Sequence, residues 1–210
     1  MHFRSAAATL VLLPQLLTVS PLAAQATRSN TSKLILGLEL NGTSATSKDL
    51  NVGTASGAGL TLRIGYGFTP VFALLFEGAA ATVNGDNADW EVGHFDFAAR
   101  FHFAKATRAV VPFLDVGLTG RSATTHDAQF DNGSGGTYQG DAEVSGSGLT
   151  LGGGLLFFFS PKLALSTGLK WTVGEISTVR VNNISVSGFE ADATTTRVNL
   201  GISWFPMLGR

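Results

Sequence analysis

Three side chains in one short stretch are of the types that bind metal ions. His94, Asp96 and His102 stand at even spacing, so an extended strand would present all three on the same face. His94 and Asp96 are close enough to share an ion, but His102 lies more than about 25 Å from His94 along a strand. We therefore expect these side chains to fill a polar surface, and we predict no metal site.

A second set of residues could belong to a hydrolase that combines His, Ser and an acid. His126 and Asp127 lie among many serines and threonines, but His126 is followed by Asp127 and Ala128, without the closely spaced His and Ser that such enzymes use. The glycine-rich segments 57–59 and 133–136 precede neither a helix nor a Lys-Ser/Thr pair, so a phosphate-binding loop is not indicated. We predict no enzyme, no catalytic residue and no cofactor.

The residues around the two histidines alternate in polarity. In the stretch 94–103, HFDFAARFHF, every second side chain shares a face, which predicts one β-strand with an apolar face and a charged face. Seven further segments have the same period, and each segment has 9 to 14 residues, which suits a tilted crossing of a bilayer. The predicted strands are residues 33–41, 57–67, 71–82, 92–103, 110–121, 146–159, 163–174 and 194–205.

The connections between these segments alternate in length. Those after the second, fourth and sixth segments are short, at residues 68–70, 104–109 and 160–162. The others are longer and polar, and the largest are residues 122–145 and 175–193. Short turns on one side and long loops on the other are typical of an outer-membrane barrel with periplasmic turns and extracellular loops.

The composition of the polar face indicates which face points outward. It is built from Gly, Ala, Ser and Thr with four isolated acids and five isolated bases, where a water-facing surface would carry many Lys and Glu. Small residues and balanced charges fit the narrow interior of an eight-stranded barrel, so we predict an ion-pair network in the lumen. Its predicted members are Glu39, Arg63, Glu77, Asp96, Arg100, Asp115, Arg121, Lys170 and Arg197.

The opposite, apolar face is then expected to contact lipid. Predicted lipid-facing residues are Phe95, Phe97, Phe101, Phe103 and Trp171. Aromatic residues favour the membrane interface, and four of them end their strands on the short-turn side. The predicted interfacial girdle consists of Tyr66, Phe103, Phe159 and Trp204.

The amino terminus has the pattern of a secretory signal. Arg4, an apolar run and the small residues Ala24 and Ala26 predict a signal peptide at residues 1–26, removed on export, and one barrel domain at residues 27–210. The chain has no cysteine, and its net charge of −1 argues against a nucleic-acid partner. After the signal no apolar run reaches the roughly 18 residues that a membrane helix needs.

Several short stretches resemble a known group of proteins. They are residues 65–70 (GYGFTP), 111–117 (VPFLDVG), 152–155 (GGGL) leading into 159–161 (FSP), and the last strand 197–205 (RVNLGISWF). The chain resembles the small outer-membrane β-barrel superfamily that includes opacity-type proteins, OmpA transmembrane domains, OmpX and Ail-like proteins. The resemblance implies an all-β fold, an eight-stranded antiparallel up-and-down transmembrane β-barrel in the outer membrane. It also implies that the barrel-assembly machinery recognises the terminal strand.

We expect from these patterns a monomer surrounded by outer-membrane lipids and lipopolysaccharide. Its lumen would be plugged by charged side chains. Its extracellular loops would carry a structural role, adhesion or another surface interaction. No motif in these loops predicts a binding partner. Most of the acids lie in the long loops, which indicates solvation or divalent-cation binding among lipopolysaccharide phosphates. Two alternatives stay open: a narrow porin-like channel for small solutes or ions, and a soluble periplasmic lipocalin-like barrel with the apolar face around a ligand cavity.

Overall fold

The computed structural model describes residues 29–47, 52–84, 89–103, 108–131, 137–181, 184–186 and 190–206. The predicted signal peptide lies outside them. No helix among these residues is long and apolar enough to cross a membrane. The strands are β1 (Lys33–Ser47), β2 (Val52–Gly67), β3 (Phe72–Asn84), β4 (Asp89–His102), β5 (Val110–Asp131), β6 (Thr137–Ser160), β7 (Leu163–Val181), β8 (Ile184–Val186) and β9 (Ala191–Trp204).

Eight of these strands close into an antiparallel barrel. Each strand from β1 to β7 pairs with the next one along the chain, and β9 pairs with both β7 and β1. The three-residue β8 pairs with the far end of β7 and is not part of the ring. The predicted fold, an eight-stranded antiparallel up-and-down barrel, is confirmed. Closure matters physically because it leaves no unpaired strand edge in the bilayer.

The two ends of the barrel differ in their connections. At the short-turn end, β2 is joined to β3 by a tight turn in which the Phe68 amide donates to the Phe72 carbonyl at 3.0 Å. At the opposite end, which we call the hairpin end, the strands extend further than the alternation predicted. β5 runs to Asp131 and β6 begins at Thr137, so most of the predicted loop 122–145 is a paired β-hairpin. Its sequence is mostly polar and contains several glycines, without the regular alternation that predicts a two-faced strand.

The outside of the barrel is apolar. Large hydrophobic side chains at alternate positions of every barrel strand are exposed, as with Leu62 of β2, Leu118 of β5 and Leu169 of β7. The predicted lipid-facing and girdle residues all point outward and are 36–63% exposed. Charged side chains occupy the interior instead. The soluble-barrel alternative, which needs the apolar face inside, is therefore wrong.

The interior has three levels. An apolar plug fills the short-turn end, an ion-pair layer fills the middle, and a cavity that we call the outer vestibule lies at the hairpin end. The plug consists of Ile35, Ala73, Leu75, Val111, Phe113, Leu156, Phe158, Ala164 and Phe205. A smaller apolar cluster, Ala55, Val83 and Val92 with Trp90 and Ala123 packed against it, lines the vestibule.

Candidate functional site

The ion-pair layer begins with Arg63 of β2, which lies between two acids. Its Nη1 and Nη2 donate to the two carboxylate oxygens of Glu39 on β1 at 2.8 and 2.9 Å. Its Nε donates to Glu77 on β3, the residue paired with Arg63 in the sheet. The planar guanidinium satisfies three acceptors on neighbouring strands at once, which a lysine could not do in this geometry.

A second arginine repeats this arrangement on the next pair of strands. Arg100 of β4 faces its sheet partner Asp115 of β5 and donates to both carboxylate oxygens at 2.7 Å. Its guanidinium also lies 3.7 Å from the centroid of the Phe113 ring, a cation–π contact that joins the ion-pair layer to the apolar plug. Its Nη2 is 3.9 Å from Glu77, which links the two arginine groups.

Two like-charged pairs face each other across the lumen. Glu77 and Asp96 are direct neighbours on β3 and β4, and Lys170 and Arg197 are direct neighbours on β7 and β9. Side-by-side like charges destabilise a sheet, but here the two pairs bind each other through the interior. Lys170 donates to Glu77, and to Asp96 at 3.1 Å, while Arg197 donates to Asp96 at 2.7 Å. These contacts join opposite walls of the barrel.

The eight residues of this layer form one balanced network. Four are acids and four are bases, and none is more than 4% exposed. Burying charges is affordable only when partners and hydrogen bonds compensate for lost hydration, and each charge here has an opposite partner. The middle of the lumen is therefore filled and neutral.

Hydroxyl and amide side chains extend the network. The Thr119 hydroxyl donates to Asp96 at 2.8 Å and is hydrogen-bonded to Thr150, whose hydroxyl is 2.6 Å from that of Thr172. Asn41 donates to the Thr61 hydroxyl at 3.1 Å. Sequence reasoning treated such residues only as small lumen fillers. The sequence feature that could have identified these threonines is their position on the charged face of β5, β6 and β7, where they lie at one level of the barrel.

The apolar plug was missed by the sequence analysis. Phe158 and Phe205 stack with ring centroids 5.1 Å apart, and both are buried. Phe113 lies over Gly154, where an added Cβ would come within 2.8 Å of the phenylalanine ring and 2.0 Å of the Thr167 carbonyl oxygen. Glycine is therefore required at 154 for the aromatic ring to enter the lumen. The plug fills the short-turn end of the lumen with apolar side chains.

Arg121, the ninth predicted member, is not part of the network. Its Nη1 donates to the Ala193 carbonyl at 2.9 Å, while its Nε and Nη2 have no hydrogen-bond partner among the described residues. It lines the floor of the outer vestibule, above the ion-pair layer. The structure thus brings together eight of the nine charged residues and leaves one base apart.

The candidate metal and hydrolase residues lie in separate places. His94 is buried beside its sheet partner Arg121, and His102 is buried near the plug, opposite Phe113 in the sheet. Within the described part of the chain, no three His, Cys, Asp or Glu side chains are grouped to hold a metal ion. His126 and Asp127 belong to β5, and their side chains lie outside the described structure.

Comparisons with known proteins agree with this geometry. The family model for "Outer membrane protein beta-barrel domain" matches residues 12–205. The structure is similar to Neisserial surface protein A, with a TM-score of 0.61, 15% identity, and coverage of 81% of this chain and 96% of that one. It is also similar to the outer membrane protein OprG from Pseudomonas aeruginosa, with a TM-score of 0.57, 11% identity, and coverage of 85% and 98%. No curated protein sequence matches. At these identities the structural likeness shows the fold alone.

Proposed function

We propose that this chain, which belongs to the outer membrane protein β-barrel domain family, is a closed barrel that acts through its extracellular surface. The observation that carries the proposal is the filled interior. A balanced ion-pair layer occupies the middle of the lumen, and an apolar plug occupies the short-turn end. A solute or ion entering the lumen would have to displace both layers.

The hairpin end supports a role at the surface. Among the side chains that the structure describes, the large outward-facing apolar residue nearest the hairpin tip is Leu118 on β5 and Leu149 on β6. From Leu118, β5 continues to Asp131, which is about 40 Å at roughly 3.3 Å per residue, and β6 returns from Thr137. This paired hairpin, whose sequence is mostly polar, offers a surface beyond the apolar band for structural, adhesive or other contacts.

The remaining features of this proposal follow from family and composition. We propose that residues 1–26 are removed on export, that residues 27–210 form the mature barrel, and that lipid and lipopolysaccharide surround its apolar band as a monomer. The barrel-assembly machinery would recognise the last strand during insertion. The proposal includes no catalytic role and no cofactor.

Cysteine labelling tests the orientation of the barrel. The chain has no native cysteine, so single cysteines report position cleanly. In intact cells a membrane-impermeant maleimide should label Asp141→Cys at the hairpin end and not Arg108→Cys at the short-turn end, because only the former lies outside the cell. Labelling of Arg108→Cys alone would contradict the proposed orientation.

Planar-bilayer recordings test the closed interior. The purified full-length protein should show no steady conductance, because both inner layers block the lumen. Steady open channels would favour the alternative, a narrow channel for small solutes or ions, which the polar lining of the mid-lumen would suit. A barrel of the same family that is known to conduct serves as the positive control.

A further inference from the structure

The outer vestibule is a cavity with apolar walls and a charged floor. Its volume is about 140 Å³, and all eight barrel strands contribute to its lining. Its apolar walls are formed by Ala55, Val83, Val92, Ala123, Val144 and Ile176. Neither the proposed surface role nor the plug uses this space.

The floor contains one buried and one half-buried side chain with unused hydrogen-bonding atoms. Arg121 and His94 are direct sheet partners, and both line the cavity. His94 is only 5% exposed, and its Nε2 has no partner among the described residues. The Nε and Nη2 of Arg121 are likewise buried and unpaired in that part of the chain. Leaving charged donors unsatisfied in a low-dielectric site is costly, so their presence beside a cavity points to an acceptor that enters it.

The charge balance specifies the sign of that acceptor. The ion-pair layer below is neutral, with four acids and four bases, and Arg121 is the fifth base. Its unused Nε and Nη2 form one edge of the guanidinium, the fork that binds both oxygens of a carboxylate. A carboxylate would satisfy this edge with both of its oxygens, and His94 is placed to contact one of them.

The walls specify the rest of the ligand. Apolar cavities of about 150 Å³ hold a molecule the size of benzene. We propose that the outer vestibule binds a small amphipathic carboxylate, with an aromatic ring or short alkyl chain between the apolar walls and its carboxylate on Arg121. Acetate lacks the apolar body, and neutral aromatic compounds lack the charge.

The proposal is tested by titrating the full-length protein in lipid nanodiscs with 4-fluorobenzoate, followed by ¹⁹F NMR against empty nanodiscs. Saturable binding to the protein is expected. The neutral 4-fluorobenzamide, of the same shape, should bind at least about tenfold more weakly because it cannot form the charge-assisted pair. Equal binding of both compounds, or none above empty nanodiscs, would overturn the proposal.

Two variants and one control locate the site. Arg121→Gln should weaken 4-fluorobenzoate binding at least about tenfold, and Ala123→Phe should abolish it by filling the cavity. Arg180→Gln removes an exposed arginine outside the cavity and should leave binding unchanged. Heat-modifiable migration in gels shows that each variant is folded. Folded Arg121→Gln and Ala123→Phe proteins that bind as the wild type does, or an equal loss in Arg180→Gln, would refute the site.

Discussion

The ion-pair layer and the outer vestibule are built from the same kind of position but differ in how they are filled. Both are formed by side chains at alternate, inward-facing positions of the barrel strands. In the ion-pair layer every charge meets an opposite charge, so the lumen is occupied by the protein itself. In the vestibule the side chains leave a cavity with mostly apolar walls, and Arg121 meets no acid among the described residues. The same barrel therefore has one level that is filled by its own side chains, the ion-pair layer, and one that contains a cavity, the outer vestibule.

The largest expected effect comes from removing the charge of Glu77, the acid with the most basic neighbours in the ion-pair layer. Glu77→Gln leaves Arg63 and Lys170 without a shared partner, and Arg100 loses a nearby charge. Removing one member of a buried ion pair typically costs about 3–5 kcal/mol of unfolding free energy. Urea unfolding in lipid vesicles measures the loss. The exposed Glu175→Gln is the matched control and should change stability by less than about 0.5 kcal/mol.

A somewhat smaller loss is expected in the plug. Phe158→Ala creates a cavity beside Phe205 and should cost about 3 kcal/mol in the same unfolding assay. Phe159→Ala, at the adjacent lipid-facing position, is the control and should cost less, because removing its ring leaves no cavity in the protein interior. An equal or larger loss in Phe159→Ala would show that the plug is not a packed core.

The smallest expected effect on stability distinguishes Arg121 in the outer vestibule from the bases of the ion-pair layer. Arg121→Gln removes a charge that lacks an acidic partner, so unfolding free energy should change by no more than about 1 kcal/mol. A loss as large as that of Glu77→Gln would place Arg121 in the same network as the other bases. With the ligand test above, this result shows whether the vestibule contributes to binding or to stability.

Much of the fold could be predicted because lipid imposes a strict alternation on the strands. The Phe residues of β4 face out and Asp96 and Arg100 face in because successive side chains point to opposite sides. The pairings could not be predicted, since Lys170 and Asp96 are separated by 74 residues and meet across the lumen. That contact depends on the tilt and stagger of the strands, which single segments do not encode.

The sequence did not predict the apolar plug or the extension of the β5–β6 hairpin, and the reasons are opposite. The segment 155–159, LLFFF, is apolar on both faces, so its composition did not show that the inward-facing Leu156 and Phe158 belong to an apolar plug. Segment 122–145 is mostly polar and contains several glycines, so its sequence predicts a loop. Neither segment has the regular change between polar and apolar residues that predicts a two-faced strand.

The facing like-charged pairs also bear on how the barrel assembles. Before the last strands arrive, Asp96 lacks both of its bases, Lys170 and Arg197, and Glu77 lacks Lys170. An open sheet that contains β3 and β4 would therefore hold an unneutralised carboxylate in lipid or in water. Docking of β7 and β9 supplies the missing bases. We expect the interior charges to favour insertion of a closed ring over insertion of an open sheet.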